Sequence, residues 1–429
     1  MHTMSNWSGS VRYTPSQIFS PSSEDELVKI VRNCIDLKKK IRIIGSGHSF
    51  TRLCETDQVL ISLDHYKGIV SVNKEAREIT VKAGTKIYEF GDLSHQLGLA
   101  QENLGDIDRQ SMAGSISTGT HGTGIGFGNI STQVTAIRFV NGKGEVVNCS
   151  ETDNHDIFKA TQISLGSFGI ILELTFRLTE SYKLEFTSGK ENLFDVLGRY
   201  DEINKTTRNF EFYWFPHTET VQTKYSNVSE KEAKDNKLGL WFDNVMENHL
   251  FNAVSFPTRY IPSLSSSVAK LSAALSGTSS KVNWSHKVYA LPRTVLFNEM
   301  EYNVPYEAFA DVKKEVVRVF KDRKFDVHFP TENRFVKGDD IWLSPAYQRQ
   351  SAYIAFHVYK GNPHQHYFKV MEDICRSYDG RPHWGKMHTL QAADFQKIYP
   401  KWEDFQAVRK TQDPEGIFLS DYLREVLVS

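Results

Sequence analysis

Two glycine-rich turns, each with a histidine, hold the residue types best suited to chemistry in this chain. The first, Gly45-Ser46-Gly47-His48-Ser49, follows the short β-branched run Ile41-Arg42-Ile43-Ile44. A strand ending in Gly-x-Gly presents backbone N–H groups to a phosphate, because glycine permits a sharp turn and a close ligand. Phe50 stands where the dinucleotide fingerprint needs its third glycine, so a nicotinamide Rossmann reading loses its last element. The second turn is Ala113-Gly114-Ser115-Ile116-Ser117-Thr118-Gly119-Thr120-His121-Gly122-Thr123-Gly124. Two separate phosphate cradles point to a flavin dinucleotide held by loops. Much later, Glu332-Asn333-Arg334 falls in a segment with strand character, and period-two geometry puts Glu332 and Arg334 on one face. A carboxylate beside a guanidinium is either a solvated ion pair or part of a site.

The two glycine loops resemble the vanillyl-alcohol-oxidase-type family of FAD enzymes. In covalent members of that family the histidine of a Gly-Ser-Gly-His-Ser turn bonds to the flavin's benzenoid methyl group. The resemblance implies an α+β protein with a two-domain, PCMH-type FAD-binding fold and an α+β substrate (cap) domain. It implies FAD attached through His48, in a site made by Ile44, Gly45, Ser46, Gly47, His48, Ser49, Asp106, Ser111, Gly114, Ser115, Thr118, Gly119, Thr120, His121 and Ile170. The plain alternative for His48 is a turn histidine capping a carbonyl.

Four further blocks resemble the sugar-lactone and alditol oxidase branch of that family. They are Trp214-Phe215-Pro216-His217-Thr218, Gly338 to Pro345, Arg381-Pro382-His383-Trp384-Gly385-Lys386, and Pro414-x-Gly416-x-Phe418. The resemblance implies Glu332, Arg334 and Lys386 as catalytic residues, and Asp106, Glu332, Arg334, Tyr359 and Lys386 around the substrate. Alcohol oxidation on a flavin moves a hydride from carbon while the hydroxyl loses its proton, so fixed cations near the oxygen lower the barrier. Arg334 and Lys386 suit that role; Glu332 holds Arg334, accepts a substrate hydroxyl, or does both. Asp106 and Asn333 depart from the branch pattern, whereas Tyr359 matches lactone oxidases rather than alditol oxidases. An aldono-1,4-lactone is therefore the favoured substrate, with an alditol as the alternative. Gly105 sits where the family tunes oxygen access, which suggests an oxidase making hydrogen peroxide; a turn glycine with positive φ is the other reading. His357 shares a strand face with Tyr359, and His364 and His366 read as an exposed loop. Competing readings are a flavin dehydrogenase serving a quinone or cytochrome, a flavin-binding scaffold without catalysis, and a sugar-nucleotide reductase, which would not need His48.

These residues need elements to position them. Ser23-Glu24-Asp25-Glu26 reads as a capping box, followed by Leu27, Ile30, Val31 and Cys34 at helical spacing. That helix feeds the strand before the His48 turn. Further strands are expected at 59–63, 79–81, 134–140 and 170–178, with a hairpin at Asn141-Gly142-Lys143-Gly144. Phe210, Phe212 and Trp214 alternate with Glu211 and Tyr213, as in a strand with one aromatic face. Residues 262–280, rich in serine and alanine, read as helical or loop surface, with membrane association as a minor alternative. The expected organisation is an FAD-binding domain at 1–180, a substrate or cap domain at 181–380, and a C-terminal segment, 381–429, returning to the FAD domain.

Composition bounds the partners. The 429 residues carry 51 basic and 52 acidic side chains, a net charge of −1, which gives no electrostatic footprint for nucleic acid. The four cysteines are dispersed without a Cys-x-x-Cys pair, and no His-Glu-x-x-His spacing supports a metal. The N-terminus lacks the pattern of a secretory signal, and no apolar run approaches the ~20 residues needed to cross a bilayer. A cytoplasmic enzyme of small molecules, with O2 as acceptor, is the expectation.

Overall fold

The computed structural model describes residues 3–234, 251–289 and 295–428. Its N-terminal part opens with the helix Glu24–Asp36, capped by Ser23, whose hydroxyl accepts from the Glu26 N–H at 3.3 Å. The reciprocal half of the capping box is shifted by one residue: the Glu26 carboxylate accepts from the Ser22 N–H at 2.7 Å. Leu27, Val31 and Cys34 fall on one helical face and are buried. This helix crosses over between the parallel strands Gln17–Phe19 and Ile41–Ile44, which both pair with Val59–Ser62. Beside this small sheet stands a five-stranded antiparallel sheet, in the order Val146–Ser150, Val134–Asn141, Gly169–Arg177, Glu78–Lys82, Ile69–Asn73. Its hairpin forms at the Asn-Gly step, where Asn141 Oδ1 accepts from the N–H groups of Lys143 and Glu145, both at 3.0 Å.

The C-terminal part is built on one antiparallel sheet of eight strands. Their order is Ser279–Trp284, Lys183–Asn192, Thr220–Val228, Asn209–Trp214, Thr331–Val336, Ser351–Tyr359, Phe297–Pro305, Arg381–Pro382. The central strands are buried on both faces. On one face Phe212 and Trp214 pack against Phe309 and Phe320 of the helix Phe309–Arg323, at ring distances of 6.0 and 5.5 Å. The other face carries polar residues in register. Tyr213 lies opposite Glu332, Glu332 opposite Ala355, and Ala355 opposite Glu301. One row along, Glu211 lies opposite Arg334, which lies opposite Tyr353. Alternation thus gathers charge from three strands onto one surface, with Tyr353 of a fourth beside it.

Arg381–Pro382 is still an edge strand of the large sheet, paired with Tyr302 and Asn303. Only later does the chain return to the small parallel sheet, where the Ile41 N–H donates to the Ile417 carbonyl at 2.8 Å. Arg42 locks this return. Its buried guanidinium donates to the carbonyls of Leu53, Leu165, Gly166 and Phe418 at 2.7–2.9 Å. Residues 262–280 form a 3-10 turn, the helix Ser265–Leu275 and the start of an edge strand. The stretch around His364 and His366 is not a free loop: His364 caps the helix Gln365–Ser377 and His366 lies in its first turn. All four cysteines are free thiols. Among the described residues, no helix is long and apolar enough to cross a membrane.

Candidate active site

Two clefts meet at the His48 turn. One, of about 790 Å³, is walled by Ile44 to Ser49, Ser111, Gly114, Thr118, Gly166 and Ile170. The other, of about 620 Å³, lies between that turn and the polar face of the large sheet. His48, Ser49, Gln110 and Thr118 line both.

The first cleft is a cradle whose close approaches exclude side chains. A Cβ on Gly45 would sit 2.3 Å from Ser111 Oγ, so the two glycine turns touch at that point. Gly47 has φ +66°, which favours glycine. Ser111 caps the short helix Met112–Ser117 by accepting from the Gly114 N–H at 3.2 Å. A cleft walled by two glycine turns, with an imidazole on its lining, suits a dinucleotide carrying a ring system. Ser115 and Gly119 lie off both walls: the Ser115 hydroxyl donates to the Met112 carbonyl at 2.8 Å, and Gly119 shapes the turn at φ +71°. Asp106, Thr120 and His121 line the second cleft instead of the first.

His48 packs against Trp7 with ring centroids 5.8 Å apart. Burial, helped by Lys386, Lys86 and Arg109, pushes its imidazole down to about 4. The ring is therefore neutral at neutral pH, with a nitrogen lone pair to offer.

In the second cleft Arg334 is the hub. Its Nη2 lies 2.8 Å from Asp106 Oδ2 and contacts Glu332 Oε1, while Nε donates to Glu211 Oε2 at 3.2 Å. Burial alone would lower the guanidinium pKa, but Asp106, Glu332 and Glu211 outweigh it and hold the charge firmly. Glu211 itself is pushed up, first by burial and then by Asp106. Tyr213 donates to Glu332 and, at 3.2 Å, to Asp106. Lys386 forms the second centre: its ammonium contacts Glu299 and stands 5.0 Å from the Phe50 ring. Glu299 is held well below the usual carboxylate range, because Lys386 and His357 overcome the cost of its burial. A third pair lies alongside, with His121 Nε2 at 3.1 Å from Glu301 Oε1 and His121 Nδ1 at 2.8 Å from the Gly122 carbonyl. Burial opposes the ionised form of Glu301, yet His121 and His383 bring it down to about 2. Acceptor oxygens thus stand at both ring nitrogens of His121. His383, by contrast, is pushed down to about 3 by burial and accepts from the Gly385 N–H at 3.0 Å.

Glu332, Arg334 and Lys386 are thus brought to one cleft. Tyr359 is not on its wall: the ring packs with Phe50, Phe297 and Phe329, and its hydroxyl donates to Asn252 Oδ1 at 2.7 Å. It shapes the site through Phe297, its register partner, which does line the cleft. His357 also lies behind the wall, donating from Nδ1 to the Pro330 carbonyl at 2.9 Å, with Nε2 3.5 Å from Glu299. Trp384 belongs to the core, stacked on Phe395 at 4.4 Å. Gly105 has no positive φ; a Cβ there would lie 2.9 Å from the His121 carbonyl, and this contact demands glycine. Glu211, Tyr213, Glu299 and Glu301 are the residues sequence reading missed. The signal was the pair of carboxylates two apart in Phe297-Asn298-Glu299-Met300-Glu301, which a strand puts on one face.

Comparison with known proteins adds to this geometry. The profile of a FAD binding domain matches residues 15–150, and that of D-arabinono-1,4-lactone oxidase matches residues 174–426. The chain belongs to the D-arabinono-1,4-lactone oxidase family. It is 35% identical over 426 residues to L-gulono-1,4-lactone dehydrogenase of Mycobacterium tuberculosis, covering 99% of this chain and 98% of that one. It is 32% identical over 428 residues to L-gulonolactone oxidase of Mus musculus, covering 98% and 97%. The cholesterol oxidase of Brevibacterium sterolicum shares the fold, with a TM-score of 0.86 at 18% identity over 99% of this chain and 96% of that one. The family member described here is an α+β, FAD-dependent oxidoreductase, and the backbone cradle accommodates its cofactor.

Proposed function

We propose that the protein oxidises an alcohol of an aldono-1,4-lactone of the L-gulono- or D-arabinono- type. Bound FAD supplies the hydride acceptor. The supporting observation is that Arg334 and Lys386, two cations fixed by carboxylates, sit in a cleft continuous with the cofactor cradle at His48. As the substrate hydroxyl loses its proton, charge grows on its oxygen beside guanidinium and ammonium groups that need no reorganisation. Glu332, Asp106 and Tyr213 add hydrogen-bonding positions for a polyhydroxylated ring. The named activities of the relatives agree with a lactone.

Residues lining the cradle from Ile44 to Ser49 and from Ser111 to Thr118 would hold the cofactor, with Asp106, Thr120 and His121 where it meets substrate. The neutral His48 suits covalent attachment. Denatured wild-type protein should retain yellow flavin, whereas His48→Ala should release it; free flavin from both would rule the linkage out.

Molecular oxygen is the proposed acceptor, giving hydrogen peroxide. Gly105 does not decide this, since the His121 carbonyl requires glycine there whatever the acceptor. Anaerobic bleaching of the flavin by L-gulono-1,4-lactone, followed by mixing with aerated buffer, tests both halves. Fast bleaching and fast recovery with peroxide support the proposal. Bleaching by xylitol alone would make the protein an alditol oxidase, and slow recovery in air would make it a dehydrogenase.

A further inference from the structure

The strand Phe297–Pro305 holds Lys386 at a single residue, by side chain and by backbone. The Lys386 ammonium contacts the Glu299 carboxylate, and the Met387 N–H donates to the Glu299 carbonyl at 2.9 Å. Two positions along the strand, the Glu301 carbonyl accepts from the His383 N–H at 3.0 Å. Lys386 therefore stands in a short loop clamped at both ends to one strand. The loop's outer side is held as well. The Gly385 carbonyl accepts from the Phe50 N–H at 2.7 Å, and the ammonium stands 5.0 Å from the Phe50 ring. Phe50 follows His48 by two residues, so the same loop is tied to the glycine turn that faces the cofactor cradle.

Glu299 is itself held from behind. Its register partner is His357, whose Nε2 lies 3.5 Å from Glu299 Oε1 and whose Nδ1 donates to the Pro330 carbonyl at 2.9 Å. Both residues are buried. The other titratable groups that face the lysine have partners of their own or carry no charge. Across the cleft, Asp106 and Glu332 are engaged by Arg334, and on the lysine's own side Glu301 is engaged by His121. His48 and His383 are neutral at neutral pH, because burial pushes them down to about 4 and about 3. Among the described residues, Glu299 is the one carboxylate paired with Lys386.

We propose that Glu299 is a positioning residue for Lys386, fixing where the ammonium stands relative to the His48 turn and keeping it charged during oxidation. This rests on the reading of Lys386 as a cation beside the substrate oxygen, and names the residue through which that cation is placed. A carboxylate at contact distance favours the charged form of an amine. A group misplaced by about 1 Å costs about 10²-fold in rate. One side chain thus governs both the charge of the lysine and its position, and the two effects are separable by experiment.

The test treats the FAD-loaded protein with acetic anhydride across a pH series and reads acetylation of Lys386 by peptide mass spectrometry. Glu299→Gln should lower the pH of half-maximal labelling by about one unit or more. Glu299→Asp keeps the charge on a shorter arm, so it should label as the wild type does. Anaerobic reduction of the flavin by substrate should slow by about ten- to a hundredfold in both variants, with KM changed by no more than about threefold. In a Lys386→Met background, adding Glu299→Gln should slow reduction no further, since the two residues act as one unit. Unchanged labelling in Glu299→Gln, or a further loss on adding it to Lys386→Met, overturns the proposal. So does a Glu299→Asp protein that reduces its flavin at the wild-type rate. Labelling reads the pair whatever the substrate: if xylitol alone bleaches the flavin, the lactone reading falls, while a shifted labelling midpoint still supports the role of Glu299.

Discussion

Arg334 shares one guanidinium among Asp106, Glu332 and Glu211, and removing it strands three carboxylates in a buried cleft. Arg334→Met should lower kcat/KM with a lactone by about 10²–10³, the cost of one transition-state charge partner. The same change should destabilise the fold by about 3 kcal/mol, because breaking a buried ion pair leaves charge uncompensated. Arg334→Lys restores charge without the planar fork, so it should recover stability more than rate. Thermal unfolding and single-turnover reduction separate the two effects; equal loss in both variants would mean that only the fork matters. Glu332 and Arg334 were legible in sequence because they stand two apart in one strand, and because the blocks resembling a known family surround them. Glu299, Glu301 and Glu211 were not. Their strands alternate apolar and polar residues, but only the pairing of distant strands shows that these side chains converge. Tyr359 illustrates the converse. Expected at the substrate, it stands one layer behind the wall, in an aromatic cluster with Phe297, its register partner.

At the scale of elements, local signals were reliable and their joins were not. The helix after Ser23, the strand before the His48 turn and the Asn-Gly hairpin all follow from nearby residues, and all are present. The capping box shifted by one residue because Ser22 offers its N–H to Glu26 as well placed as Ser23 would. Arg42 carries the join that no local pattern shows. It alternates within a β-branched strand, yet its buried guanidinium gathers carbonyls from three separate segments, and burial pushes its pKa down to about 10. Arg42→Ala should cost about 3 kcal/mol or more, since several buried carbonyls lose a charged donor at once. As Arg42 also lines the cofactor cleft, the variant should release FAD at lower denaturant than the wild type. Fluorescence of released flavin would show this; unfolding and flavin release that both match the wild type would count against the role.

For the whole molecule, acid is the condition that searches out buried neutral groups. Burial pushes His328 down to about 4 and His383 to about 3. Their folded values lie below the ordinary histidine value, so the unfolded chain takes up protons first as pH falls. The stability these residues contribute is fully present above about 6.5 and is lost progressively as pH drops towards 4, by about 1.4 kcal/mol per pH unit for each. Glu301, held down to about 2, adds a further loss only below about 4.5. His48 and His388 are likewise pushed down to about 4 by burial, so urea unfolding should weaken from pH 6.5 downward, and His328→Phe should flatten that slope by about a quarter. The order of the eight strands was the least legible feature, because neighbours such as Asn209–Trp214 and Thr331–Val336 are separated by more than a hundred residues. The carbonyl of Phe418 closes the hub at Arg42, 376 positions earlier. A ribosome making this chain must release almost all of it before the cofactor cradle gains its last support. Flavin capture is thus timed late in synthesis, and prematurely ended chains should leave the ribosome colourless.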